Sequence, residues 1–486
     1  MGCVLLLVPI LLALAAAALL PWVFKQREPR KIAAPPCVGG WIPWIRAAIR
    51  FGKAPLEFIE QARAEYGAVF TVVAAGKRLT FITEEEDFEI FFKSKNVDFQ
   101  QAVQEAVQHT ASISRKSFYK SHTALHDMLK SRLAPSRLHL FSANLSKEFR
   151  EHLVYLGTKG TDNLYDLIWH TMYPAVVNNL FGRGTCPTDR NTIKEFEDHF
   201  QKFDRDFEFG SQLPEFLVRD WSKSKCWLLS LFENIVTKAE KVKPTDDNSK
   251  PLDPLKICEP QERKGFYIEE GLRRILGPNK KQDLPTIKDS TASLKNNFVP
   301  APFRHFEWEL YCKLQFTDAL GFPSQCTSCN KKIGSEESDL QKLPYLKCCI
   351  LEAIRLRAPG VITRKVVQPL KIKDYIVPSG DMLMLSIYWA HRNPKHFPEP
   401  EKFLPDRWKK ADIEKHVFLD GFMAFGGGRY QCPGRWFALL EIQMFAAFLL
   451  YKYEFTLLDP VPKESPLHLV GTQQPLGPCR VEYKCR

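Results

Sequence analysis

This chain of 486 residues contains no internal repeat, no helix-turn-helix, finger or aromatic ribonucleoprotein pattern, and no regular cysteine framework. The first absence excludes solenoids and propellers. The second argues against nucleic acid as the partner of the basic excess, 68 Lys and Arg against 56 Asp and Glu, and favours an anionic membrane surface or an acidic protein. Thirteen cysteines, an odd number without pattern, fit free thiols in a reducing compartment rather than a secreted disulfide scaffold. Cys326 and Cys329 form one Cys-x-x-Cys, but the adjacent Cys348 and Cys349 supply no second pair at that spacing, which argues against zinc. Charge is missing altogether from Val4 to Phe24, and a long uninterrupted helical pattern is missing between Ser249 and Lys331.

The charge-free run is 21 residues long, enough to span a bilayer as a helix. Lys25, Arg27, Arg30 and Lys31 follow at once. A cleaved signal peptide carries its charge in front of a shorter apolar core, so the reading is an uncleaved anchor over residues 1–24 with the body in the cytosol. The alternative is a cleaved signal with the body in a lumen. Residues 25–43, with Pro35, Pro36, Gly39, Gly40 and Pro43, make a basic, proline-rich hinge. The rest of the chain is long enough to bury a large core, and 45% hydrophobic with 26% charged residues is globular composition.

The body predicts a mainly α protein with small β-sheets. A helix is expected over Pro55 to Tyr66, then strands at Val69–Ala75 and Arg78–Thr83 joined by a turn at Gly76 and Lys77. Amphipathic stretches continue to about Lys243, and Trp221 and Trp227, flanked by lysines, suit either lipid headgroups or ordinary core. Leu346, Cys349, Ile350, Ala353 and Ile354 recur at helical spacing until Pro359 and Gly360 stop the pattern. Strands follow at Val361–Val367 and Lys371–Ile376, then a proline-rich loop from Pro394 to Pro405. A last long helix begins just after Cys432 and runs to about Tyr451.

Two constellations carry chemistry. The run from Phe425 through Gly426, Gly427, Gly428, Arg429, Tyr430 and Gln431 to Cys432, Pro433 and Gly434 sets one cysteine between a glycine loop and a helix start. Backbone N–H groups and the helix terminus would favour its thiolate, the form that ligates iron. Phe425 would cover the sulfur, and Gly434 would let the helix backbone approach a flat macrocycle. The alternative is a buried structural cysteine beside an unrelated turn. Separately, Glu352 and Arg355 share one helix face, and Arg407 lies in Pro405-Asp406-Arg407-Trp408 before the cysteine loop. Guanidinium forks on a shared carboxylate can clamp such an irregular segment.

Anchor, hinge, Glu-x-x-Arg helix, Pro-Asp-Arg-Trp segment and cysteine loop stand in the order of a microsomal cytochrome P-450, a haem-thiolate monooxygenase, which the chain resembles. Trp44 to Phe70, Ala358 to Lys365 and Phe422 to Ala438 are most similar to its sterol and bile-acid branch, the oxysterol 7α-hydroxylases. The likeness covers roughly residues 37–248 and 332–484. It implies a haem-thiolate domain over 44–486, held by one anchor at the endoplasmic reticulum with its catalytic domain in the cytosol. It further implies haem b, NADPH electrons through a flavoprotein reductase, molecular oxygen, and 7α-hydroxylation of an oxysterol, 24-hydroxycholesterol, in cholesterol catabolism. Cys432 would be the iron ligand and Phe425, Gly428 and Gly434 its surround. Arg364 would meet a haem propionate, joined by His126 and Lys130 where many relatives have Trp-x-x-x-Arg. Tyr430 stands where most relatives place a further propionate-binding Arg. The Phe99–Ile113 loop, Phe207–Pro214, Val361, Ile362, Val470 and Thr472 would border the sterol. Lys130, Arg132, Arg429 and Arg435 would face the acidic reductase.

The chain departs from the family at 249–331. There a monooxygenase is expected to carry a helix of some thirty residues across the distal haem face. Instead Pro251, Pro254, Pro260, Pro278, Pro285, Pro300, Pro302 and Pro323 interrupt the stretch, and each interior proline costs a helix about 3 kcal/mol. Two origins compete, a divergent insert and an alternative exon or faulty gene model. Two functional alternatives follow: a non-catalytic isoform that cannot activate oxygen, or a haem-thiolate isomerase that needs no reductase.

Overall fold

A computed structural model of the chain describes residues 34–38, 50–74, 76–181, 183, 186–189, 192–241, 340, 343–410, 418–465 and 475–486. The run 1–24, all of 249–331, Val470 and Thr472 lie outside the described residues. Among the described residues no helix is long and apolar enough to cross a membrane.

Helix α1 (Pro55–Tyr66) starts on a proline at its first turn, where the missing N–H costs nothing. It packs on the hairpin of β1 (Val69–Ala74) and β2 (Lys77–Ile82), whose Thr71 and Thr80 hydroxyls pair at 2.9 Å inside the sheet. Then come α2 (Phe88–Lys93), β3 (Val97–Asp98), α3 (Phe99–Ala111), α4 (Arg115–Arg132), α5 (His139–Leu153), β4 (Lys159–Asn163), α6 (Leu164–Phe181), α7 (Ile193–Arg205), the single turn α8 (Phe207–Gly210) and α9 (Arg219–Lys241). The second half holds α10 (Pro344–Arg357), β5 (Val361–Val366), β6 (Leu370–Ile372), β7 (Tyr375–Val377), β8 (Met382–Ser386), α11 (Ile387–His391), α12 (Arg435–Lys452), β9 (Tyr453–Leu457) and β10 (Arg480–Cys485).

The main sheet runs β1-β2-β8-β5-β3; β2 pairs with β8 in parallel and the other neighbours are antiparallel. That one parallel pairing brings the second half of the chain onto the sheet begun by the first. The helical core forms around α12, which is apolar on all sides and so is buried on all sides. Its Phe437 and Phe445 meet Phe141 and Phe149 of α5 at 5.1 and 5.2 Å between ring centres. Cys432 therefore precedes the most enclosed helix of the described structure.

Most expected elements appear within a residue or two. Three differ. The strand expected over Lys371–Ile376 is two strands, β6 and β7, turned at Lys373, whose φ is 51°. The expected loop Phe99–Ile113 is largely the helix α3, begun where the Asp98 carboxylate accepts from the Gln101 N–H at 2.6 Å. Trp221 does not face headgroups: it is buried, donates its indole N–H to the Phe203 carbonyl at 3.0 Å and stacks on the Phe203 ring. Trp227 is half-buried, stacked on His199, and donates to Glu195 at 3.1 Å.

Candidate active site at the cysteine loop

Between Met423 and Gly434 the backbone closes on itself. Gly426 N–H donates to the Met423 carbonyl at 2.8 Å and Cys432 N–H to the Phe425 carbonyl at 2.9 Å. Gly426 (φ 73°) and Gly428 (φ 67°) take the left-handed conformations that the turn needs, which cost a residue with a Cβ about 1 kcal/mol or more. Gly427 has no such φ, but a Cβ there would come within 3.0 Å of the Phe92 ring. The loop thus sets Cys432 two residues before Gly434, the cap of α12.

Two influences on the Cys432 thiol oppose each other. Burial pushes its pKa up, while the backbone N–H groups of Gly434 and Arg435 and the Arg435 guanidinium pull it down. The N–H groups thus act in the expected direction, toward the thiolate, while burial acts against them and raises the thiol on balance. A bound cation is what would deprotonate this sulfur outright. Cys432 nevertheless keeps exposed surface. Arg435 also donates Nη1–H to the Cys432 carbonyl at 2.8 Å. Phe425 lies beside the loop, stacked on Phe418 at 5.8 Å and edge-on to Phe422 at 6.2 Å.

Next to the loop, α2, α3, α4 and β5 converge on an aromatic wall that holds a cation. Arg364 on β5 is buried, its guanidinium 4.9 Å from the ring centres of both Phe91 and Phe99. It donates to the Thr363 carbonyl at 2.8 Å, and among the described residues it has no ion-pair partner. Burial lowers its pKa to about 10. Phe99 stacks on Tyr430 at 4.7 Å, and His126 meets Tyr430 edge-on at 5.6 Å. The buried His126 donates Nε2–H to the Gln431 carbonyl at 3.2 Å, and its Nδ1 lacks a hydrogen-bond partner. Arg364, His126 and Tyr430 are thus brought together beside Cys432. Lys130 is not: one turn further along α4, it is exposed.

These residues fit a haem. The thiol keeps exposed surface, the buried Arg364 guanidinium forms no ion pair among the described residues, and His126 Nδ1 makes no hydrogen bond, with Asp127 Oδ1 3.6 Å away. Gly434 meets protein only at ordinary distance, with Leu133 3.8 Å from the position of a Cβ. An anionic, planar iron macrocycle would supply the missing partners: metal to sulfur, a carboxylate to Arg364 and, with Nδ1 also protonated, a carboxylate to His126.

The expected clamp is present in full. Glu352, with no exposed surface, accepts Nε–H and Nη2–H of Arg355, Nε–H of Arg407, the Leu404 backbone N–H and the Trp408 indole N–H, each at 2.9 Å. Arg355 Nη1–H reaches the His391 carbonyl at 2.7 Å, and Arg407 Nη1–H reaches Pro398 at 2.8 Å. His391 itself escaped sequence reasoning. Buried and stacked on Phe422 at 5.2 Å, it bonds the Arg355 carbonyl through Nδ1 at 3.1 Å and accepts the Met423 N–H at Nε2 at 3.0 Å. Both partners are backbone atoms, so no side-chain pattern could have pointed to it.

Of the pocket candidates, Val361 and Ile362 are half-buried on β5, opposite Ser386 and Leu385 of β8, and pack against two apolar clusters. Phe207 opens α8 and meets Phe203 edge-on at 5.7 Å.

The family profile described as Cytochrome P-450 matches residues 329–479. The chain is 50% identical to the 24-hydroxycholesterol 7-alpha-hydroxylase of Homo sapiens over 472 residues, 96% of each chain. To the Mus musculus protein of that name it is 47% identical over the whole of both chains. To the cholesterol 7-alpha-monooxygenase of Cricetulus griseus it is 26% identical over 96% of each.

Proposed function

The chain belongs to the cytochrome P-450 family, and on that premise we propose that it hydroxylates an oxysterol, 24-hydroxycholesterol, at the 7α position. The observation that carries the reading is Cys432: a thiol with exposed surface, in a closed glycine loop, beside a buried guanidinium that forms no ion pair among the described residues. The cofactor is haem with a thiolate-ligated iron, which supplies oxygen activation with NADPH electrons delivered by a reductase.

The protein's own residues bind, orient and enclose. Cys432 holds the iron, and the Gly434 and Arg435 N–H groups temper the charge on its sulfur. Arg364 and His126 receive the propionates, with the Tyr430 hydroxyl in place of the usual guanidinium and Lys130 contributing charge from the rim. Phe425, Gly428 and Gly434 shape the side facing the sulfur. Glu352, Arg355 and Arg407 keep the segment before the loop in place. Val361 and Ile362, with Val470 and Thr472, border the sterol, whose apolar body suits such walls.

The chain is arranged as an anchor over 1–24, a hinge over 25–43 and the haem-thiolate domain over 44–486, at the endoplasmic reticulum membrane. Exposed Lys130 and Arg429 and half-buried Arg132 and Arg435 belong to the face that meets an acidic reductase. The prolines of 249–331 favour a second reading, a relative that keeps haem but cannot activate oxygen.

Reconstitution of the full chain with haem, reductase, NADPH and 24-hydroxycholesterol tests the proposal. A 7α-hydroxylated product, lost in Cys432→Ser, is expected. Haem incorporation without product from this or other sterols would favour the second reading. Turnover of a peroxide substrate without reductase would point instead to an isomerase.

A further inference from the structure

His391 joins two parts of the molecule that sequence alone leaves separate. On one side is the Arg355 carbonyl, in the helix whose Glu352 and Arg355 form the clamp. On the other is the Met423 N–H, at the entry to the cysteine loop. Met423 in turn accepts from Gly426, and Phe425 accepts from Cys432. Five consecutive hydrogen-bonded or covalent steps therefore lead from Arg355 of the clamp to the sulfur-bearing residue. The two partners assign the imidazole tautomer: Nδ1 must carry the proton to bond a carbonyl, and Nε2 must be bare to accept an N–H. The Phe422 ring stacked on one face fixes its plane.

We propose that His391 is a positioning residue for the haem thiolate: its Nε2 holds the Met423 N–H and thereby keeps Cys432 at the iron. The inference rests on Cys432 being the ligand. It differs from a general packing role in assigning the effect to one nitrogen. The Arg355 side of the ring braces the clamp, whereas the Met423 side registers the loop. Outer-shell partners of metal ligands commonly act in this way, by holding a ligand's backbone rather than touching the metal.

The two sides can be separated by substitution. The amide of Asn reaches the position of Nδ1 but not that of Nε2, and the longer Gln reaches Nε2 but not Nδ1. The readout is the conversion, in the reduced carbon monoxide complex of the full-length holoprotein, of the thiolate-type Soret band to the band of lost thiolate. His391→Asn is expected to accelerate this conversion about tenfold or more, as loss of an outer-shell partner does. His391→Gln is expected to stay within about twofold of the unaltered protein, rescued by its carbonyl accepting the Met423 N–H. Trp408→Phe, which removes a clamp bond of similar length but leaves His391 in place, is expected to lower the unfolding temperature without changing the conversion rate.

Equal conversion rates in His391→Asn and His391→Gln, or Asn indistinguishable from the unaltered protein, would overturn the proposal. So would a His391→Asn chain that assembles no holoprotein while His391→Gln fares no better. If the unaltered protein never shows a thiolate-type band, the assignment of Cys432 fails first and the inference falls with it.

Discussion

Trp408 donates its indole N–H to Oε2 of Glu352 at 2.9 Å, across 56 positions of sequence and with neither residue exposed. That carboxylate accepts four more N–H groups from Arg355, Arg407 and Leu404. Removing its charge strands two guanidinium groups inside the protein. Glu352→Ala is therefore expected to cost about 3–5 kcal/mol, enough to prevent assembly of holoprotein. Trp408→Phe removes one neutral donor and is expected to cost about 1–2 kcal/mol. Denaturant unfolding of both variants checks the order; equal costs would contradict it.

Arg364 has a different logic, because its guanidinium is desolvated among Phe91, Phe92 and Phe99 and forms no ion pair among the described residues. A haem propionate would relieve that cost. Arg364→Leu is expected to release haem to a scavenging protein about 10- to 100-fold faster, with Arg364→Lys intermediate because it keeps the charge but not the fork. Unchanged release in Arg364→Leu would place the propionate elsewhere.

His391 makes stability depend on pH with a definite sign. Burial, with repulsion from Arg355 and Arg392, lowers its pKa from 6.5 to about 3. Below 6.5 the unfolded chain takes up a proton that the folded chain refuses until about 3, so this group's share of stability is fully present above 6.5 and is lost as pH falls. The slope is at most about 1.4 kcal/mol per pH unit. His391→Gln lacks that proton, so the gap in unfolding free energy between the two proteins should narrow by about 2 kcal/mol between pH 6.5 and about 5. A gap that stays constant would mean that the folded chain takes up this proton as readily as the unfolded one.

Gly427 and Phe92 should couple. A Cβ at Gly427 would approach the Phe92 ring to 3.0 Å, so Gly427→Ala is expected to destabilise the loop by about 1–3 kcal/mol. Phe92→Leu in the same chain should recover at least about 0.5 kcal/mol of that in a double-mutant cycle. Simple additivity would show that the loop yields instead of the ring.

The clamp was legible in the sequence because Glu352 and Arg355 share a helix face and Arg407 sits in a short distinctive motif. The cysteine loop was legible from its glycines. Trp408 and His391 were not, since their roles depend on which backbone atoms the fold brings near them. The family resemblance implies a loop over Phe99–Ile113, yet the Asp98 cap starts a helix there. The direction in which the N–H donors act on the thiol was legible too, whereas the opposing effect of burial was not.

The central claim is that Cys432 ligates haem iron as a thiolate, and the carbon monoxide difference spectrum of the reduced, purified full chain tests it most directly. A thiolate-type Soret band that disappears in Cys432→Ser, with a spin-state shift when 24-hydroxycholesterol is added to the oxidised protein, is the predicted result. Absence of haem, or a band of lost thiolate in the unaltered protein, would contradict it.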